Sequence, residues 1–393
     1  MNKSILATEV QAYIQAHLHA DVHRLAMAKS PFENVSSKEL AGQIAAKKKA
    51  VKKLPMWYNA AQIYYPALIS MEQCSSEVTA AYKTGLAIGE TLADLTGGFG
   101  VDSIYFAKSG KQVTHYEINK ELSEIAAHNA EVFGLKNVDF IAGDGMEDLQ
   151  REKSFLDTIY IDPARRSEVG KVFMLKDCTP NVVENLDLLL ERSNRIIIKT
   201  SPLLDITAGI NELGNVAEVH IISTKNECKE LLFILGKPPG STVKIVSTTL
   251  NEGIKQFSFD KGEEILSEKH YAAVLLKYLY EPDAALLKSG AFDLIAQHYN
   301  LEKLDDQTQL YTSKNLNTEF PGRIFTVDEV ISMTDLKKQK ELVGSVIVRS
   351  FPQKAEILIK KYKIKPDHNQ FLIFTQSKAE GHLIIKATIL QHY

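Results

Sequence analysis

The stretch "YIDPARRSE", Tyr160 to Glu168, sets an acid, a proline and two arginines directly after the apolar run "LDTIYI". Proline lacks a backbone donor and fixes its own φ, so a strand ending in Asp162-Pro163 delivers a carboxylate and a constrained carbonyl, both acceptors, into a loop. A second candidate is "LADLTGGFGVDSIYFA", Leu92 to Ala107. An acid ending a strand, followed by glycines and the start of a helix, brings backbone amides against a ligand at the carboxyl edge of an α/β sheet. The dinucleotide fingerprint fails here, because Gly98 and Gly100 would require glycine at position 103, where Ser103 stands. Asp94, Gly98 and Gly100 satisfy D-x-x-x-G-x-G instead. Glu117 closes "VTHYE" and Asp144 follows "FIAG". Each residue also has an ordinary structural use: Asp94 or Asp144 as a helix cap, Gly98 as a turn residue, Glu117 as a solvated strand end. For Arg165 and Arg166 the ordinary use is an ion pair with Asp157 or Glu168.

The elements that must position these groups follow from hydrophobic period and punctuation. Residues 1–85 read as a helical N-terminal domain: "VQAYIQAHLHADVHRLAMA" is amphipathic, and Ser36 with Glu39 has capping-box spacing ahead of a helix that stops at Pro55. From 86 to 240, the runs "ETLADL", "KQVTHYE", "VDFIAG", "LDTIYID", "RIIIKT" and "AEVHIIS" alternate with helical stretches, the pattern of a parallel sheet covered on both faces. "ELLFILG" follows so closely that a hairpin and an antiparallel last strand are expected. After the Pro-Pro-Gly turn of "KPPGSTVKIVS", residues 241–320 read as a small α+β domain, with a ferredoxin-like shape as one option. Residues 321–393 read as a compact α/β module in which "PQKAEILIKKYK" is a basic helix.

Composition narrows the function classes. The chain has 393 residues, 45% hydrophobic and 24% charged, as soluble globular proteins do. Three scattered cysteines suggest neither a disulfide framework nor a zinc knuckle, and no His/Cys grouping suggests a metal. No secretory leader or membrane span is expected, so the expected location is the cytoplasm. The net charge of −3 is unevenly spread: residues 1–85 hold 10 Lys/Arg against 6 Asp/Glu, residues 321–393 hold 12 against 7, and the centre holds 24 against 36. Two basic ends flanking an acidic centre suit an anionic polymer such as RNA, with solvated faces as the plain alternative.

The order of strand-end features resembles class I S-adenosylmethionine-dependent methyltransferases. With "EQCSSEVTAAYK", "DPARR", "KTSPLLD" and "NECKELL", the chain resembles a bacterial family of such enzymes carrying a C-terminal THUMP-like domain. The resemblance implies a Rossmann-like seven-stranded sheet binding S-adenosyl-L-methionine through Asp94, Thr96, Gly98, Phe99, Gly100, Glu117 and Asp144. Glu117 would accept from the ribose hydroxyls and Asp144 from the adenine amino group. Asp162, Pro163 and Arg165 would be catalytic. In the related amino-methyltransferase motif the acid and the proline carbonyl hold a target amine, while Ala164 and Arg165 stand here where a second proline and an aromatic are usual. The motif also resembles D-P-P-R of uridine-5 RNA methyltransferases, but those need a cysteine after the fifth strand, where this chain has "KTSPLLD". Transfer to nitrogen is therefore expected, with oxygen as the alternative, on rRNA or tRNA. A non-catalytic binding protein and an enzyme acting on a small molecule or protein are the other readings. Oligomeric state is not legible.

Overall fold

The computed structural model describes residues 1–165, 174–236, 242–336 and 341–393. Arg166, Glu168 and the Pro-Pro-Gly turn lie outside the described residues, as does the Arg165 side chain. Two compact units divide the chain: residues 1–217 with 232–240, and residues 218–231 with 241–393.

In the first unit, helix α1 (Thr8–Ala16) and helix α2 (Ser37–Lys53) begin the chain. The expected capping box forms, since Glu39 N donates to Ser36 Oγ at 3.2 Å and Ser36 N donates to Glu39 Oε2 at 2.8 Å. The amphipathic run before it is two helices, not one, because the Asp21 carboxylate accepts from His23 and Arg24 amides and starts a second helix at Val22. Helix α3 (Glu77–Thr84) leads into the sheet.

Strands β1 (Thr91–Asp94), β2 (Gln112–Glu117), β3 (Val138–Ala142), β4 (Leu156–Ile161) and β5 (Ser193–Thr200) are the expected runs. Helices α4 (Val101–Lys108), α5 (Lys120–Val132) and α6 (Gly145–Arg151) connect the first four. Pairing is parallel throughout β3-β2-β1-β4-β5. Because β2 and β4 flank β1, the strand order reverses there, and the carboxyl ends of β1 and β4 border the crevice where doubly wound sheets take ligands. Beside β5 lies β7 (Glu227–Gly236). The N-terminal helices share one core with this sheet's helices: Ile44, Trp57, Tyr65 and Met71 are buried together with Phe99, Ile104 and Ile125.

In the second unit, β6 (Val216–Thr224) meets β7 through Lys225-Asn226, whose φ values of 50° and 59° make the two-residue hairpin expected of them. Strands β8 (Lys244–Leu250) and β9 (Ile254–Asp260) continue this edge. A separate seven-stranded sheet combines β10 (Tyr278–Pro282), β11 (Glu302–Lys303), β12 (Tyr311–Ser313), β13 (Gly322–Ile331), β14 (Ser345–Val348), β15 (Gln370–Ser377) and β16 (Gly381–Gln391) in the order β11-β12-β10-β13-β16-β15-β14. Only β14–β15 is parallel. Helix α7 (Ala355–Tyr362) buries Leu358 with Leu372, Phe374 and Ile384 on one face. Buried Glu281 receives both Arg323 and Arg349.

Candidate active site

The glycine loop between β1 and α4 is tied down by three hydrogen bonds to the two strands that flank β1. Leu95 N donates to Tyr160 O on β4 at 3.0 Å, Gly97 N to Tyr116 O on β2 at 2.8 Å, and Gly98 N to Glu117 Oε2 at 2.9 Å. Gly97 lies so close to His115 that an added Cβ would fall 2.0 Å from the ring. Gly98 takes a left-handed φ of 56°, and a Cβ there would meet only the Thr96 carbonyl, at 3.9 Å, so its outer face is open.

Asp94 is 1% exposed and turned into the protein. Its Oδ1 accepts from Thr96 N at 3.1 Å and its Oδ2 from Ser103 Oγ at 2.5 Å. With its hydrogen committed there, the Ser103 oxygen accepts from His115 Nδ1 at 3.0 Å, which sets the tautomer. Burial pulls His115 down to about 3, so the ring is neutral. Burial pushes Asp94 up to about 7, against the pull of the Ser103 hydroxyl. A carboxyl with a folded pKa above its ordinary 3.8 contributes stability at low pH and loses it as pH rises towards the folded value. Asp94→Asn is therefore expected to raise the melting temperature over wild type by more at about pH 8 than at about pH 5, read by thermal melts across pH.

The remaining predicted ligand-binding residues are placed as follows. Glu117 ends β2 and spends one oxygen on Gly98 and the other on Asn119 N at 2.8 Å. Asp144 caps α6, with Oδ1 accepting from Met146 N at 2.8 Å. Gly100 has a φ of 83° at the start of α4. The Phe99 ring is 2% exposed, packed in the core near Trp57, so only its backbone is available to a ligand. Thr96 Oγ1 accepts from Asp162 N at 2.6 Å and joins the glycine loop to the Asp-Pro segment. The open face at Gly98 leaves room for S-adenosylmethionine at the carboxyl edge of the sheet, where β2 and β3 deliver Glu117 and Asp144.

Asp162 follows β4 with its side chain 36% exposed and ion-paired to Lys199 on β5. Lys199 heads a buried polar chain that sequence reasoning missed. Its ammonium reaches Ser75 Oγ at 3.4 Å, and that hydroxyl donates to Asp102 Oδ2 at 2.7 Å. Asp102 Oδ2 also accepts from Tyr160 OH at 2.9 Å, and Oδ1 pairs with Lys83 at 3.1 Å. Lys83 itself is 0% exposed. Burial pushes Asp102 up, but Lys83 and Lys199 prevail and hold it below the usual carboxylate range. Beyond Pro163, Ala164–Arg165 pairs antiparallel with Cys178–Thr179, which sets Cys178 opposite Arg165. Among the described residues, no group of three His, Cys, Asp or Glu is set to hold a metal, and no helix is long and apolar enough to cross a membrane.

Comparison with known proteins agrees with this geometry. Residues 89–187 match the RNA cap guanine-N2 methyltransferase family, and residues 278–321 match a ferredoxin-like domain. The chain is 30% identical to a protein of Porphyromonas gingivalis W83 whose crystal structure is assigned as a methyltransferase, with 99% of each chain covered and a TM-score of 0.86. It is 22% identical over 298 residues to an uncharacterized S-adenosylmethionine-dependent methyltransferase of Mycobacterium tuberculosis, covering 76% of this chain and 77% of the other. A shorter stretch of 125 residues, 30% of this chain and 29% of the other, is 30% identical to a tRNA (uracil(54)-C(5))-methyltransferase of Pyrococcus furiosus. A relative this similar along the whole chain, on a sheet whose strand ends carry the expected acids, settles the family: the chain belongs to the S-adenosylmethionine-dependent methyltransferases.

Proposed function

We propose that this methyltransferase acts on a nitrogen of a base in structured RNA, rRNA or tRNA, in the cytoplasm. The observation that carries the reading is the acceptor pair at the end of β4, where Asp162 is fixed through its own amide and its carboxylate yet remains about one-third exposed. S-adenosylmethionine supplies an electrophilic methyl group. Asp162 and the Pro163 carbonyl accept from an exocyclic amine and point its lone pair at that methyl, which is a positioning role. Asp94 supports the glycine loop from beneath, while the open face of the loop at Gly98 takes the cofactor between Glu117 and Asp144. Arg165 stacks on the base or meets a phosphate.

RNA is favoured by the guanine-N2 and tRNA-modifying relatives and by exposed Lys360, Lys361, Lys363 and Lys365 on and after α7. In this reading residues 321–393 act as a THUMP-like module that docks RNA, and the helical residues 1–85 assist. A second reading, carbon-5 transfer to uracil, is favoured by Cys178 lying opposite Arg165 and by the uracil-modifying relative. Cys178→Ser separates the two, since it abolishes carbon transfer and spares nitrogen transfer.

The test is tritium transfer from labelled S-adenosylmethionine to total RNA from a strain lacking the gene, with DNA, protein and small-molecule extracts in parallel and Asp162→Ala as the blank. Label confined to RNA, followed by nucleoside digestion that shows a methylated nitrogen, is the expected result. Label in another pool overturns the RNA assignment, and tight cofactor binding with no transfer overturns catalysis.

A further inference from the structure

Helix α2 carries the basic run "KKKAVKK", Lys47 to Lys53, and one of its amines does not behave as a surface lysine. Lys48 and Lys49 are exposed, whereas Lys47 is 8% exposed. Lys47 makes no hydrogen bond or ion pair among the described residues, and its ammonium lies 5.8 Å from the centre of the Tyr58 ring. Burial holds it below the usual lysine range. Taking a cation out of water without a counter-charge costs free energy, so the position is stable only at some expense unless an anion arrives.

Lys47 lines a cavity of about 470 Å³ together with Thr8, Gln11 and Gln15 of α1 and with Tyr58, Asn59 and Gln62. No carboxylate lines it. A volume of this order holds a small ligand, not a lone ion, and the lining offers one cation, one aromatic face and several amides able both to donate and to accept. That set matches a nucleotide: phosphate on the ammonium, base against the ring, amides on the sugar and base edges.

We propose that the cavity between α1, α2 and residues 58–62 is a nucleotide phosphate-binding pocket with Lys47 as its anion contact, separate from the methyl-transfer site. The phosphate can belong to a free mononucleotide or to an RNA strand; only the second source rests on the RNA reading above. The test is calorimetric titration of the full-length protein saturated with S-adenosylhomocysteine, so that the cofactor site is already filled. The probes are UMP, uridine, inorganic phosphate and a short oligouridylate, against wild type, Lys47→Met and, as a control for general charge, Lys48→Met.

The expected result is saturable UMP binding at least about ten-fold tighter than uridine, reduced about ten-fold or more by Lys47→Met and unchanged by Lys48→Met. Competition by oligouridylate assigns the pocket to RNA, and its failure to compete assigns it to a free nucleotide. Equal binding of UMP by wild type and Lys47→Met, or no binding by either, overturns the proposal. Melting curves guard against misfolding: Lys47→Met keeps the alkyl stem and removes a buried charge, so it should melt no lower than wild type. Because no step depends on methyl transfer, a failed transferase assay leaves this outcome readable.

Discussion

Lys199→Met is expected to lower kcat for methyl transfer about 10²-fold while leaving cofactor affinity within about two-fold. The glycine loop is held by Tyr160, Tyr116 and Glu117, so the cofactor side of the site should persist. What it holds is the Asp162 carboxylate. Without the ammonium, the backbone stays fixed by its amide on Thr96, but among the described residues the carboxylate keeps no partner and can swing towards solvent. A displacement of about 1 Å at such a group is enough for a loss of this size. Asp162→Ala removes the acceptor outright and should cost at least as much. The double variant Lys199→Met/Asp162→Ala should be no worse than Asp162→Ala, since residues acting as a unit are not additive. Lys199→Arg should recover part of kcat by restoring charge. Single-turnover rates with cofactor binding measured separately would check this, and a loss seen only in cofactor affinity would refute the positioning role.

Lys83→Met should destabilise the fold by about 3–5 kcal/mol, because removing one partner of a buried pair strands the other charge. The stranded group is Asp102, 9% exposed. Ser75, Tyr160 and Lys199 still face it, which places the expectation at the lower end. Adding Asp102→Asn should return most of the loss. The pH dependence has a definite sign: Asp102 is held below its ordinary value, so its stabilising contribution is present above the unfolded pKa and fades as pH falls through the folded one. The gap between wild type and Lys83→Met should therefore narrow below about pH 4. Urea midpoints for wild type and the two variants across pH are the measurement.

How much of this was legible beforehand depends on the range of the interactions. Asp94, Glu117, Asp144 and Asp162 could be picked out because each closes a short apolar run, and parallel strands bring all such ends to one edge. The capping box at Ser36 and the Lys225-Asn226 hairpin are likewise local grammar. Lys83, Ser75, Asp102 and Lys199 escaped because an ion pair across 19 positions and a hydrogen bond across 124 leave no period in the sequence. Lys83 stands in the last turn of a short helix and Lys199 near the end of a strand, places where a lysine is ordinary. The one available signal was that "CSSEVTAAYK", "FGVD" and "KTSP" belong to the blocks through which the chain resembles its family, with no reason apparent from any one of them. Trp57 and Tyr58 are neighbours in sequence that part in the fold: Trp57 is core, while Tyr58 lines a cavity.

The link from Ser75 and Lys83 to the carboxylate beyond β4 also bears on how the enzyme can be dissected. A methyltransferase core cut at residue 86 would lose Lys83, the ion-pair partner of Asp102, together with Ser75, and would bare the Phe99 and Ile104 side of the core now capped by Trp57. The catalytic sheet is therefore not a portable cassette. Chimaeras that transplant it onto a different substrate-binding partner must carry residues 1–85 along, and versions that omit them should fail by insolubility before their specificity can be asked.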